Sequence, residues 1–151
     1  MSFTVPIPHS ALVATVIIII ILIVVVAVSL ILVVLPMYLL RIEVFSGEVA
    51  VKAPPLYSFS AKRGEVEEVF VADLNLRSDL KPSRREWGHG LPGYSLGWFK
   101  LNNGAKAFCA VSSNVAVVFK LRDNKYLLIT PSNITGFTST LRELGWSITT
   151  Q

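Results

Sequence analysis

The side chains able to do chemistry in this 151-residue chain are few and far apart. Of two histidines, His9 and His89, the first precedes a long apolar run and the second follows it, while the single cysteine, Cys109, sits in a strand-like stretch. Zinc needs four converging N, S or O ligands at characteristic spacings. No such set can be assembled, so neither a metal nor a cofactor is expected. Gly88, Gly90 and Gly93 spell a literal G-x-G-x-x-G. In a dinucleotide site that pattern follows a strand and opens a helix whose N-terminus holds the pyrophosphate. Here Arg84-Arg85-Glu86-Trp87 precede it, Pro92 lies inside it, and a strand-like run follows. The glycines therefore read as a sharp turn with close backbone approach. No Ser-His-Asp arrangement, nucleophile elbow or phosphate-cradling loop with its lysine is present. No catalytic residue is expected, and the chain is not expected to be an enzyme.

What remains is a basic cluster. Ser78–Gly93 reads as a 16-residue loop, long for a small β domain and thus a place to look for function. Within and beside it stand Arg77, Lys81, Arg84 and Arg85, offset by Asp79 and Glu86. Lys81, Arg84 and Arg85 are the candidate surface for anionic headgroups or a protein partner, each basic group near a membrane contributing about 1 kcal/mol. The opposing expectation is that Arg84 or Arg85 turns inward to hold the loop in shape. Basic charge interleaved with aromatics is too thin for nucleic acid. Trp87, Trp98 and Phe99 are expected in packing, and His89 in a local hydrogen bond.

Any such surface hangs from the apolar run Ala11–Leu35, whose 25 residues hold no charge and only Thr15 and Ser29 as polar side chains. As a helix it would be about 37 Å long, against about 30 Å of hydrocarbon in a bilayer. It lacks the basic start and small-residue cleavage site of a secretory signal. The expected organisation is a short tail (residues 1–10), a transmembrane helix (11–36) and one β domain (37–151). All 14 Lys and Arg and all 10 Asp and Glu lie at Arg41 or beyond, giving the net charge of +4. With Arg41 and Lys52 the basic residues nearest the span, the domain is expected on the cytoplasmic side. One cysteine rules out an internal disulfide, which fits a reducing compartment.

After Arg41 the chain reads as short strands between turns: Ile42 and Val44 alternate with polar neighbours, and Pro54-Pro55 breaks the chain. Phe70, Ala72, Leu74 and Leu76 are expected on one core face. Asn102-Asn103-Gly104 is a hairpin signal, and Arg122–Lys125 returns the chain into a last strand. The period then changes: Thr130 reads as an N-cap with Pro131 at the first helical position, and Ile134, Phe137, Leu141 and Leu144 recur on one face. Gly145 is a natural stop, with Trp146 placed to pack back.

From Arg84 onward the chain resembles the bacterial pleckstrin-homology-like family, the membrane-linked PH-like domains of bacteria and archaea. The resemblance is carried by Arg84, Gly88, Gly90-Leu91-Pro92-Gly93-Tyr94, Gly97-Trp98-Phe99, Leu101-Asn102-Asn103-Gly104, Lys106-Ala107 and the helix with Phe137 and Leu141, over residues 84–144. It implies an antiparallel barrel or sandwich of about seven strands capped by a C-terminal helix (131–144), used in binding or scaffolding. No ligand residue is carried over with it. The expectation is thus a single-pass, non-enzymatic binding protein held to membrane lipid by its anchor, with a membrane or membrane-associated protein as partner and no nucleic acid. Two alternatives stand beside it. One is an accessory subunit of a larger membrane complex; the other is an extracytoplasmic domain, for which Asn133-Ile134-Thr135 would be a glycosylation acceptor.

Overall fold

The computed structural model of the chain describes residues 6–149. An unbroken helix, α1 (His9–Tyr38), takes up the apolar run and extends a little beyond it at both ends. Its 30 residues cover about 45 Å, and it is long and apolar enough to cross a membrane. The two hydroxyls inside it bond back four residues, Thr15 to the Ala11 carbonyl at 2.8 Å and Ser29 to that of Val25 at 2.7 Å. Neither presents an unsatisfied polar group to an apolar surround. Pro36 lies inside the helix near its end and is buried.

Two sheets follow. β1 (Arg41–Val44), β2 (Glu48–Ala53) and β3 (Tyr57–Lys62) form an antiparallel three-stranded sheet in that order. The larger sheet holds β4 (Val66–Asp73), β5 (Pro82–Leu91), β6 (Tyr94–Leu101), β7 (Lys106–Val111), β8 (Val115–Leu121), β9 (Lys125–Ile129) and the short β10 (Ile148–Thr149), in the order β10-β4-β8-β9-β7-β6-β5. Its pairs are antiparallel except β7 with β9 and β10 with β4. β10 and β5 are its two ends, so the fold is sandwich-like and not a closed barrel. The Asn102–Gly104 hairpin forms as its sequence requires, between β6 and β7.

Both faces of the large sheet are buried. One packs under the small sheet and the helix α2 (Ile134–Glu143): Val49 and Val51 of β2 meet Leu96, Phe108, Val117, Phe119, Leu127 and Ile129, with Leu141 and Trp146 closing the side. Phe59 of β3 stacks on Phe108 at 5.4 Å and meets Trp98 edge-on at 5.2 Å. The Trp146 indole N–H donates to the Phe45 carbonyl at 2.9 Å. The other face is covered by the crossover from β4 to β5, which lays Leu74 and Leu80 over Ala107, Cys109, Val118 and Leu128. Burial on two faces explains why β8 reads as a nearly continuous apolar run.

Several expectations about the elements and their contacts need correction. Pro82–Leu91 is a strand and not part of a long loop; only the 3-10 turn Ser78–Leu80 and its flanks connect it to β4. Leu76 is 83% exposed, because β4 ends at Asp73 and the chain turns before Leu76 can continue the core face. α2 starts at Ile134 and not at Pro131. Its cap is Asn133, whose Oδ1 accepts from the Gly136 N–H at 2.9 Å, while the Thr130 hydroxyl donates instead to the Val115 carbonyl. His89 makes a long-range contact and not a local one: its Nδ1 lies 3.0 Å from the Tyr57 hydroxyl, 32 residues away.

Candidate functional site

β5 is the outer strand of the large sheet, paired on one side only with β6. An edge strand presents every second N–H and C=O outward, a template for another chain unless blocked. Two register shifts, between Pro82 and Arg84 and between Arg85 and Trp87, bulge the pairing and twist the strand locally. Past the second bulge, Gly88 and Gly97 face each other across the two strands. A Cβ on Gly97 (φ +118°) would lie 2.4 Å from the Trp87 carbonyl oxygen, and one on Gly88 (φ +154°) 2.2 Å from that of Leu96. The backbones approach so closely that only glycine fits at either position. Gly88, the first glycine of the nucleotide-like fingerprint, thus serves strand pairing.

The side chains on β5 are mostly exposed. Arg84 and Arg85 point into solvent, and among the described residues neither they nor Lys81 makes an ion pair or side-chain hydrogen bond. Glu86 is held by Lys106 at 3.0 Å, and Lys106 also lies over the Trp98 ring. The local acid is thus neutralised while the two arginines are not. Trp87, expected in packing, is 63% exposed on this edge; Phe99 is buried and Trp98 half-buried as expected. The inward-turning role foreseen for Arg84 or Arg85 is not what the structure contains.

The strand has a direction relative to the anchor. Arg41, just after α1, pairs with Lys52, and the β2–β3 turn beside it leads into Tyr57. Tyr57 meets His89, while Phe59, two residues farther from that turn, meets Trp98, the pairing partner of Trp87. β5 therefore runs with Leu91 toward α1 and Pro82 away from it. Arg84 lies seven residues from Leu91, roughly 23 Å along a strand. Lys81 lies beyond the start of the strand, its carbonyl accepting from the Asn102 N–H. Arg84 and Arg85 thus stand on the β5 edge, with Arg84 toward its far end, while Lys81 lines a groove shared with Tyr94 and Ser95.

An open groove of about 390 Å³ lies between the crossover and the β6–β7 side, lined by Lys81, Tyr94, Ser95, Ser112 and Asn114 among others. The Tyr94 hydroxyl is buried with no hydrogen-bond partner among the described residues, and burial raises its pKa. The Tyr57 hydroxyl is likewise raised by burial, with Arg85 pulling the other way. Arg77 and Asp79 pair on the crossover at 3.1 Å, which holds the Asp79 carboxyl below the usual carboxylate range. Asn133 is exposed at the start of α2, its Oδ1 engaged in the cap. Among the described residues no group of three His, Cys, Asp or Glu is placed to hold a metal ion.

A family model described as a bacterial PH domain matches residues 66–145, more than half of the chain and the segment from β4 through α2 to Gly145. No match emerges among curated proteins or among solved structures.

Proposed function

The chain belongs to the bacterial PH domain family, and on that premise we propose that it is a non-enzymatic, membrane-anchored binding protein whose docking surface is the β5 edge. α1 is the single-pass anchor, and the domain stands on the cytoplasmic side, the reading that Arg41 and Lys52 next to the span support. The carrying observation is the coincidence, on one open strand edge, of two unpaired arginines and a 63% exposed tryptophan. Exposed Trp and Arg are the side chains that contribute most at protein interfaces. The partner is a membrane or membrane-associated protein. Lipid of the anchor's own bilayer is a poorer occupant for Arg84, which stands toward the end of β5 turned away from α1.

The test is a photo-crosslinking residue at Trp87 in the full-length protein within its native membrane, with a matched probe at Ser139 on α2. A defined protein adduct at position 87, absent at position 139 and lost in Arg84→Glu/Arg85→Glu, is expected. Adducts indifferent to the charge reversal would defeat the assignment. A partner that co-purifies in stoichiometric amount after mild detergent extraction would make the chain a subunit of a stable complex.

A further inference from the structure

We infer that the domain is seated on the bilayer that holds α1, resting on two uncharged hairpin tips, Pro54–Leu56 and Leu91–Gly93. This rests on the reading of α1 as a membrane span. Only Leu39 and Leu40 separate α1 from β1, a link that reaches about 11 Å at most. Pro36, one residue past the end of the apolar run, is already buried, and the helix packs on β2. The near end of the domain therefore begins at the depth where the hydrocarbon ends.

Strand pairing says which end that is. Arg41 lies opposite Lys52, and one residue later β2 gives way to Pro54-Pro55-Leu56. Tyr57 follows, and its hydroxyl contact with His89 brings the end of β5 alongside, with the Leu91-Pro92-Gly93 turn just beyond. Two tips from different sheets thus flank the exit of the anchor.

Their chemistry suits an interface. Neither Ala53–Ser58 nor Gly90–Ser95 contains a charged side chain. Leu56 is 38% exposed, Leu91 50%, and Tyr38 at the end of α1 84%. Apolar side chains and a tyrosine at that level are what the headgroup boundary accepts. The opposite end of the domain is different: the turn after β3 carries Lys62, Arg63 and Glu65, and the adjoining β8–β9 turn carries Arg122 and Asp123, with the Arg122 N–H donating to the Glu65 carbonyl. At the end near α1 the charges Arg41, Glu43 and Lys52 lie on β1 and β2, with Lys52 paired to Glu43, while the two tips themselves carry none. The exposed Phe45 belongs to the charged end, since its carbonyl holds Trp146 near Arg63 and Gly145.

The experiment uses the full-length protein in phosphatidylcholine/phosphatidylglycerol vesicles, with an environment-sensitive fluorophore on a single introduced cysteine: Leu56→Cys, Leu91→Cys, Phe45→Cys or Val24→Cys. The native Cys109 is fully buried and stays unlabelled. Lipids brominated along the acyl chain should quench the label at 24, 56 and 91 and leave it bright at 45. Quenching at 24 with none at 56 and 91 would overturn the seat while sparing the anchor. Absence of quenching at all four would overturn both. Equal quenching at 45 and 56 would also overturn the seat, because the domain would then lie on its side.

Discussion

The close approach of β5 to β6 sets a measurable penalty for Gly97→Ala. At φ +118° an alanine is strained by about 1–3 kcal/mol. Its methyl carbon would also sit 2.4 Å from the Trp87 carbonyl oxygen and 2.7 Å from the Gly88 Cα, where real Cβ contacts essentially never fall below 3.0 Å. Both neighbours are backbone, so no side chain can swing aside. Strand separation or overpacking adds about 1–3 kcal/mol, and the two together give roughly 2–6 kcal/mol. Against a typical domain stability of about 5–15 kcal/mol this is a large loss. The matched control is Gly47→Ala, where no atom lies within 4 Å of the new methyl. Denaturant unfolding of both variants of the full chain in detergent micelles, followed by tryptophan emission, gives the comparison. A Gly97→Ala loss below about 1 kcal/mol, or equal to that of Gly47→Ala, would refute the close-approach argument. The crosslink at Trp87 should weaken in parallel, because the edge is positioned by that contact.

Trp146→Phe should cost about 1–3 kcal/mol in the same unfolding assay, since it removes the indole N–H and leaves the Phe45 carbonyl without its donor; an unchanged midpoint would mean water replaces it freely. The Cys109 thiol, fully buried and with its pKa pushed up by desolvation, should stay unmodified by a thiol reagent in the folded protein and react at once in denaturant; fast labelling of the native state would contradict the packing of β7. Asp79 has a lowered pKa through its hydrogen bond from Arg77, so its stabilisation is present above the unfolded carboxylate value of about 3.9 and is lost as pH falls through the folded one. The stability gap between wild type and Asp79→Asn should therefore be full at neutral pH and close below about pH 4; a gap independent of pH would remove the ion pair from the account.

The long apolar helix α1 is legible because absence of charge over 25 residues is a signal of composition alone, independent of any partner. Hairpins such as Asn102–Gly104 were legible because turn chemistry is local. β5 was not, and its position explains why. An edge strand wet on both faces has no alternation of period two, and Arg84-Arg85-Glu86 followed by glycines imitates a loop. The start of α2 was misplaced because Thr130-Pro131 and Asn133 both satisfy the local rule for a helix start. The competition was decided by Thr130 bonding to Val115, a residue distant in sequence. Lys81, Arg84 and Arg85 stand out in the sequence by residue type alone. That Trp87 lies exposed beside them, and that Arg84 lies far from α1, depends on the contacts of β3 with β5 and β6, which leave no periodic trace.

The family match spans residues 66–145, yet β1–β3 precede it and supply one whole layer of the core. Without them Leu96, Phe108, Val117, Phe119 and Leu127 would lose their cover. At about 1.5–3 kcal/mol for each large apolar side chain returned to water, the loss is on the order of 10 kcal/mol, comparable to the whole stability of a typical domain. The small sheet is therefore part of the folding unit and not an appendage to it. It is also the only route from the anchor, since α1 enters through β1 and packs on β2. From there Tyr57 reaches His89 on β5, and Phe59 reaches Trp98 directly behind Trp87. The position of α1 thus passes through packed side chains to the strand edge that carries Arg84, Arg85 and Trp87. On the proposed reading of α1 as a membrane span, this coupling would hold the β5 edge at a fixed height and angle for a partner confined to the same membrane.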